Sequence, residues 1–466
     1  MPGRTVWSQL KPLVLRLHFY AGVLIAPFLL IACVTGLLYT AAPTLERVVY
    51  ADQLIVEEGD SAFRISEQVA AAREAHPDGV LVEVRPPVAP DSSTRVVFTD
   101  ADVPEGYHRA VFVDPYTLDV LGQERTYGQW LGVRAWLDDL HRTLHLGDLG
   151  RHYSELAASW LWVVVLGGLA LWVTRRRERR SAAALLLPER GAVGRRRTLS
   201  WHASIGVWVA LGALMLSVSG LTWSRYAGEN IGQVRTALNW SIQTVDTSLD
   251  GSASGGGGHD HGAAAPEVSD DVIEAGVGVD GVLAAARVAQ LRDPLVLTPP
   301  ADAGSAWTVA ENRRSWPTYA DAVAVDGATG TVVDTQRFDD QPFMAKMTRW
   351  VIDAHMGILF GVVNQIVLAL VALGLIAGVV LGYRAWWQRR PTRASASSRA
   401  MGRAPAAGAW RRTSVPVSVG VVVVALAVGW FVPLLGVSLA VFVVGDALIG
   451  ARLRRSVPAA DEHPVP

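Results

Sequence analysis

The sequence predicts an α-helical integral membrane protein: a four-helix core of two parallel repeats, a C-terminal helical hairpin, and two small α+β modules outside the bilayer. Three observations predict it. Half of the 466 residues are hydrophobic and 17 are tryptophan. The apolar residues gather into six runs, each about long enough to cross a ~30 Å hydrocarbon core. And the chain is written twice.

The repetition is residue for residue. His18 and Gly22, followed by Thr35-Gly36-Leu37, recur as His202 and Gly206 followed by Ser219-Gly220-Leu221, with the same internal spacing. The pattern W-x2-D-x-H-x5-G occurs at Trp136, Asp139, His141 and Gly147 and again at Trp350, Asp353, His355 and Gly361. Gly168 and Trp172 stand as far beyond His141 as Gly382 and Trp386 stand beyond His355. Two copies of one membrane unit usually meet about a pseudo-two-fold axis, which sets equivalent residues facing each other.

Residues 1–42 hold the N-terminus and the first span, an apolar run at 13–40. That run is too long for a signal-peptide core and lacks a small-residue cleavage site, so it reads as a retained helix. Residues 43–135 form the first outer module. A helix at 61–76 is ended by Pro77, strands follow at 80–84, 95–98 and 110–113, and Asp114-Pro115-Tyr116-Thr117 turns the chain into Val120. Residues 136–223 carry the second and third spans, 153–173 and 199–223, joined by an arginine-rich loop. Residues 224–349 begin with a Gly-rich flexible linker at 251–266, which contains His259 and His261. The second module follows, with a helix at 279–291, strands at 295–297, 307–310 and 321–325, and the turn Asp326-Gly327-Ala328-Thr329 into Val332. Modules of about sixty residues are marginal alone, so these two are expected to dock on each other or on the membrane. Residues 350–390 carry the fourth span, 358–383. Residues 391–466 hold an Arg/Ala-rich linker, the hairpin 415–431 and 434–449, and the tail.

The net charge of −1 conceals a segregation. Arginines crowd the second interhelical loop (Arg175 to Arg177, Arg179, Arg180, Arg195 to Arg197) and the stretch after the fourth span (Arg389, Arg390, Arg393, Arg399, Arg403, Arg411, Arg412). The positive-inside rule makes these segments and both termini cytoplasmic, and turns the long loops 41–152 and 224–352 outward. Cys33 is the one cysteine, which excludes disulfides and cysteine-ligated clusters within a chain. No Gly-rich loop opens a helix after a strand, so a Rossmann fingerprint and a P-loop are both missing. Nothing points to nucleic acid.

The combination of H-x3-G…[TS]-G-L on odd-numbered spans, W-x2-D-x-H-x5-G ahead of even ones, and an α+β module in each half resembles the PepSY-associated transmembrane family. The resemblance covers about residues 13–390; the terminal hairpin lies outside it and is unexplained. It implies PepSY-like extracytoplasmic modules and a multi-pass protein of the bacterial inner membrane. Because the family includes di-haem reductases of ferric siderophores, it also implies a role in iron acquisition.

The histidines supply the chemistry. On one continuous helix the roughly 18 residues from His18 to Gly36 make about five turns, placing both on one face about 27 Å apart. Gly22 lies one turn from His18, and Gly206 one turn from His202; a missing side chain there makes room for a porphyrin edge. For Gly36 and Gly220 close helix packing is the competing reading. His18 and His202 lie near cytoplasmic arginines. His355 stands roughly 29 residues, about 43 Å of helix, before Arg384, so it and His141 belong at the outer boundary. The expected pairs are therefore His18 with His202 on an inner haem and His141 with His355 on an outer one. The expected cofactor is two haem b: no C-x2-C-H motif exists for haem c, and two histidines at one level leave tetrahedral zinc short of ligands. The alternative is that each histidine caps or hydrogen-bonds within the bundle.

Other candidates carry competing readings. His145 and His152 flank the outer site in the first copy only and could replace His141, but their twins are Leu359 and Ile366. Asp139 and Asp353 read as helix caps, or as contacts for a cationic or metal-bearing substrate. Trp136 and Trp350 read as interfacial anchors. His259 and His261 read as a solvated linker or a metal-scavenging tract.

The expected function is a di-haem b oxidoreductase passing electrons outward, with ferric siderophore as acceptor. No cytoplasmic segment is built to hold flavin or nicotinamide, so the donor is expected to be a membrane quinol or a cytoplasmic reductase. The alternatives are a non-enzymatic PepSY protein that binds or regulates a partner, and a metal or siderophore transporter. Few intramembrane carboxylates and parallel, not inverted, repeats weigh against transport.

Overall fold

The computed structural model describes residues 5–99, 102–104, 106–176, 186–250, 276–389, 405 and 413–455. In chain order the elements are α1 (Val6–Leu24), α2 (Ala26–Tyr39), α3 (Ala42–Val49), α4 (Ala51–Leu54), α5 (Ile65–Ala75), β1 (Val80–Arg85), β2 (Thr94–Thr99), β3 (Tyr107–Val113), β4 (Val120–Tyr127), β5 (Trp130–Leu131), α6 (Gly132–Thr143) and α7 (Gly147–Arg176). Then come α8 (Gly194–Thr222), α9 (Tyr226–Ala237), α10 (Gly278–Val288), β6 (Leu295–Thr298), β7 (Trp307–Glu311), β8 (Ala322–Val325), β9 (Val332–Gln336), α11 (Phe343–His355), α12 (Gly361–Trp387), α13 (Val415–Phe431) and α14 (Pro433–Arg455). They form two compact units, one of Met1–Leu37, His141–Val234 and Val367–Pro466, the other of Leu38–Leu140 and Arg235–Ile366.

The first unit is built from apolar helices. α7, α8 and α12 are each long and apolar enough to cross a membrane, and α1 with α2 pass the same test as a bent pair. Leu211 on α8 is 81% exposed, an arrangement that lipid, not water, makes favourable. α13 and α14 are apolar too.

The first span corrects the sequence expectation. It is not one straight helix: α1 and α2 meet at 59°, so His18 and Gly36 do not share a five-turn face. Pro27, in the first turn of α2, has no N–H to give the carbonyl of Val23. That carbonyl instead accepts the Tyr383 hydroxyl of α12 at 2.8 Å. The matching position in the second copy is Leu211, and α8 runs unbroken.

The C-terminal hairpin, unplaced by the sequence, packs into this unit. Val432 and Leu435 share an apolar core with Ala21, Ile25, Leu29, Ala157, Trp160 and Leu221. The Trp160 indole N–H donates to Ser438 at 2.8 Å, and buried Arg16 pairs with Asp446. Gly429 and Gly436 touch across the hairpin; a Cβ on Gly429 would lie 2.8 Å from the other's Cα.

In the second unit the two α+β modules are joined, not merely docked. Their strands make one nine-stranded antiparallel sheet in the order β5-β4-β3-β2-β1-β6-β7-β8-β9. The seam between β1 and β6 rests on one register pair, Val84 with Leu297. α5 and α10 bury their apolar stripes on one face, where Val69, Ala72, Val84, Phe98, Val282, Ala286, Leu297 and Trp307 form a single core. Each fully buried Val, Leu or Phe there contributes about 1.5–3 kcal/mol, which a lone module could collect only in part. The repeat extends to detail. Asp114 and Asp326 each accept the backbone N–H two residues on, from Tyr116 and Ala328. Leu118 and Gly330 then take positive φ, 65° and 73°, and the ladders that follow shift register beside Val113 and Val325.

Candidate functional site

Within the helical unit the structure brings His18 and His202 together. Their ring centroids lie 6.2 Å apart with the planes at 69°. His18 sits on α1 and its Nδ1 meets the Val164 carbonyl of α7 at 3.0 Å. His202 sits on α8 and its Nδ1 meets the Gly378 carbonyl of α12 at 2.9 Å. A carbonyl can only accept, so each Nδ1 carries the proton and each Nε2 keeps its lone pair. An imidazole whose far nitrogen donates to a backbone carbonyl is the usual form of a metal-ligating histidine.

The two environments repeat as the sequence does. Val164 follows His141 at the same spacing as Gly378 follows His355. Gly168 and Gly382, one turn further, form the floors under the rings. A Cβ on Gly168 would come 3.1 Å from Cε1 of His18, and one on Gly382 would come 3.6 Å from Cε1 of His202. Each histidine is thus oriented by a carbonyl and a glycine on the following helix of its own copy. Gly22 and Gly206 differ: a Cβ on either would meet nothing within 4 Å. There is open space one turn from each ring.

This geometry fits a flat macrocycle held between two imidazoles. With each nitrogen–metal bond about 2.0 Å long, a ring separation of 6.2 Å leaves room for one metal centre between the two imidazoles. Among the described residues no three His, Cys, Asp or Glu side chains gather as a site for a bare metal ion.

His141 occupies a second built environment. It lies in the last turn of α6, and its Nδ1 meets the Thr35 hydroxyl oxygen at 2.9 Å. The Thr35 hydroxyl also lies within donating distance of the carbonyls of Ile31 at 3.0 Å and Ala32 at 3.2 Å. Gly36 packs beneath this ring, not with His18: a Cβ there would be 3.1 Å from Cε1 of His141. In the first copy the Thr35-Gly36 pair is therefore a seat for a histidine. His355 closes α11 in the other unit, so these two do not make one described site.

The remaining candidates separate. His145 is exposed in the break after α6, at φ +56°. Both ring nitrogens of His152 are engaged, by the Asp148 carbonyl at 2.6 Å and the Tyr226 hydroxyl at 3.1 Å. Neither aspartate is an N-cap, because Asp139 and Asp353 both lie in C-terminal turns, of α6 and α11. Asp353 is fully buried, and Arg314 donates Nε to it at 2.6 Å. Burial pushes this carboxyl above the usual range, while Arg314 and then Arg349 pull it back. Trp136 is 55% exposed, as an interfacial anchor would be. Trp350 is instead stacked edge-on with Trp316 and Phe338, at 5.6 and 6.1 Å. His259 and His261 lie outside the described residues.

A family model described as PepSY-associated TM region matches residues 15–389 of the chain. No curated protein is similar enough to the chain to match it.

Proposed function

The chain belongs to the PepSY-associated transmembrane family, and on that footing we propose that it is a di-haem b oxidoreductase of the bacterial inner membrane, passing electrons to an extracytoplasmic ferric siderophore. In this reading α1–α2, α7, α8 and α12 form a four-helix core of two parallel repeats. Both termini and the arginine-rich segments lie in the cytoplasm, and the nine-stranded sheet lies outside.

One observation carries the proposal. His18 and His202 come from equivalent positions of two copies, with Nδ1 of each committed to a carbonyl and their rings 6.2 Å apart. His18 and His202 would hold the inner haem, and His141 and His355 the outer one. When bound, such a group supplies a one-electron couple at each level of the membrane. The protein's own residues do the rest. Val164 and Gly378 fix each tautomer and ring plane, Gly168 and Gly382 let the rings lie against the helices, and Gly22 and Gly206 leave the flanks clear. Thr35 orients the ring of His141. With two imidazoles held for each group, such sites would suit electron transfer over ligand chemistry. The donor, quinol or cytoplasmic reductase, would meet the inner level.

The test is a visible spectrum of the purified protein. It should show low-spin b haem; His202→Ala should remove one haem and His355→Ala the other. Chemically reduced protein in sealed vesicles of known orientation should be reoxidised by ferric siderophore added to the outer face. Full haem content in both variants would overturn the ligand assignment. Reoxidation from the cytoplasmic face alone would overturn the direction.

A further inference from the structure

The joined sheet has a second face. Arg85, Arg95, Phe112 and Val296 alternate along their strands with the core residues Val84, Val96, Val111 and Leu297, so they project away from α5 and α10. There, at the seam between β1 and β6, lies a cavity of about 520 Å³. Both modules wall it, and Asn312 of the second donates to the side-chain oxygen of Gln129 of the first at 2.9 Å.

Its charge is lopsided. Arg47, Arg85 and Arg95 line it, against one lining carboxylate, Asp91. Of the nearby carboxylates, Glu83 pairs with Arg85, and Glu46 accepts the Leu131 backbone N–H at 2.9 Å while still favouring the charged form of Arg95. Arg95 is half-buried, lies over the Phe112 ring at 5.3 Å and donates to the Gln129 carbonyl at 3.0 Å. Burial brings its pKa down to about 10, so it stays charged at neutral pH. Arg47 reaches in from α3, is exposed, and makes no ion pair among the described residues.

We propose that this cavity binds a small polycarboxylate. Two guanidinium groups sit at different depths, one half-buried and one exposed. Each presents a planar fork that matches a carboxylate. A polycarboxylate offers each arginine its own carboxylate, where inorganic phosphate offers a single anionic group. A cavity of this size falls in the range of small-molecule sites, about 300–1,000 Å³. Ile55, Pro294 and Val296 offer apolar wall to the carbon skeleton. The binding site stands whether or not the chain carries haem. That its ligand is the electron acceptor, a carboxylate chelate of ferric iron, rests on the reductase reading.

Isothermal titration of the full chain in detergent, with citrate, ferric citrate and inorganic phosphate, tests this. Citrate or its ferric chelate should bind saturably, with phosphate at least about tenfold weaker. Arg95→Gln and Arg47→Gln should each weaken binding about tenfold, or about 1.4 kcal/mol, while Arg287→Gln on α10 should leave it unchanged. Binding of the chelate alone would support the site and assign its source to iron-bound ligand. If Arg95→Gln does not fold, the exposed Arg47 decides. No saturable binding, binding indifferent to both substitutions, or phosphate as tight as citrate would overturn the proposal. The visible spectrum of the same sample reads haem separately, so a haem-free protein that binds citrate refutes the reductase reading and not this one.

Discussion

Substituting Gly22 or Gly206 separates a histidine pair that serves helix packing from one that serves a cofactor. A Cβ at either position meets no atom within 4 Å, so Gly22→Leu and Gly206→Leu start their side chains in open space. Leucine also improves on glycine in a helix interior by roughly 0.5–1 kcal/mol. The protein without haem should thus be as stable as the parent or slightly more so. A porphyrin edge, however, must pass through the volume that the new side chain fills. Because both glycines flank the same pair, on the proposed di-haem reading each single variant should lose one haem and the double variant no more than that. The contrast is Gly168→Val, where the added atoms start 3.1 Å from Cε1 of His18 and should disturb the polypeptide itself. Pyridine haemochrome analysis gives haem per chain, and thermal unfolding followed by circular dichroism gives stability. Full haem content in the double variant would refute the reasoning; so would a loss of stability equal to that of Gly168→Val.

Three further outcomes are expected. Tyr383→Phe should destabilise the helical unit by about 1–3 kcal/mol, the cost of a buried carbonyl left bare. In a Pro27→Leu background, which returns a backbone donor to Val23, that cost should largely vanish; additive effects in a double-mutant cycle would contradict the account of the bend. Arg314→Leu removes the main cation opposing the desolvation of Asp353, raising the folded-state pKa further above its unfolded value. The folded form then binds the proton more tightly, so stability should be fully present at low pH and fall as pH rises through the carboxylate range; a flat profile from pH 4 to 8 would count against this. On the proposed reading, deleting residues 255–261 should leave haem content and electron transfer unchanged, since a run of four glycines brings no side chains to either. A loss that a Gly/Ser replacement cannot restore would give His259 and His261 a chemical role.

Much of this was legible in the sequence because side-chain letters record it. Alternation marked the strands around Val96, Val111, Val309 and Val323, and the paired turns at Asp114 and Asp326 revealed the second module as a copy of the first. The histidines stood out by their repeated spacing. What escaped was carried by atoms that have no letter. The Val164 and Gly378 carbonyls that orient the rings are backbone, and only the repeat could have drawn attention to Gly168 and Gly382. The bend at Ile25 had a visible cause in Pro27, but apolar runs in spans read as continuous through a proline. Asp353 looked like a cap by residue type alone; its place at the C-terminal end of α11 and its burial against Arg314 are tertiary facts. Likewise the hairpin gave no local sign that Ser438 and Asp446 would find Trp160 and Arg16.

The Val84–Leu297 seam also sets a timetable. β6 leaves the ribosome roughly 200 residues after β1, and at about 5–20 residues per second that interval is on the order of ten to forty seconds. Throughout it, the first module must persist with a bare strand edge while α7 and α8 are still being made. Exposed edges recruit foreign strands unless something blunts them. Here β1 carries the Glu83–Arg85 pair and runs straight into Pro86 and Pro87, which charge the edge and cut it short. The same features leave its rightful partner only one place to join. A nascent chain of this design guards its unfinished half by making the eventual joint small.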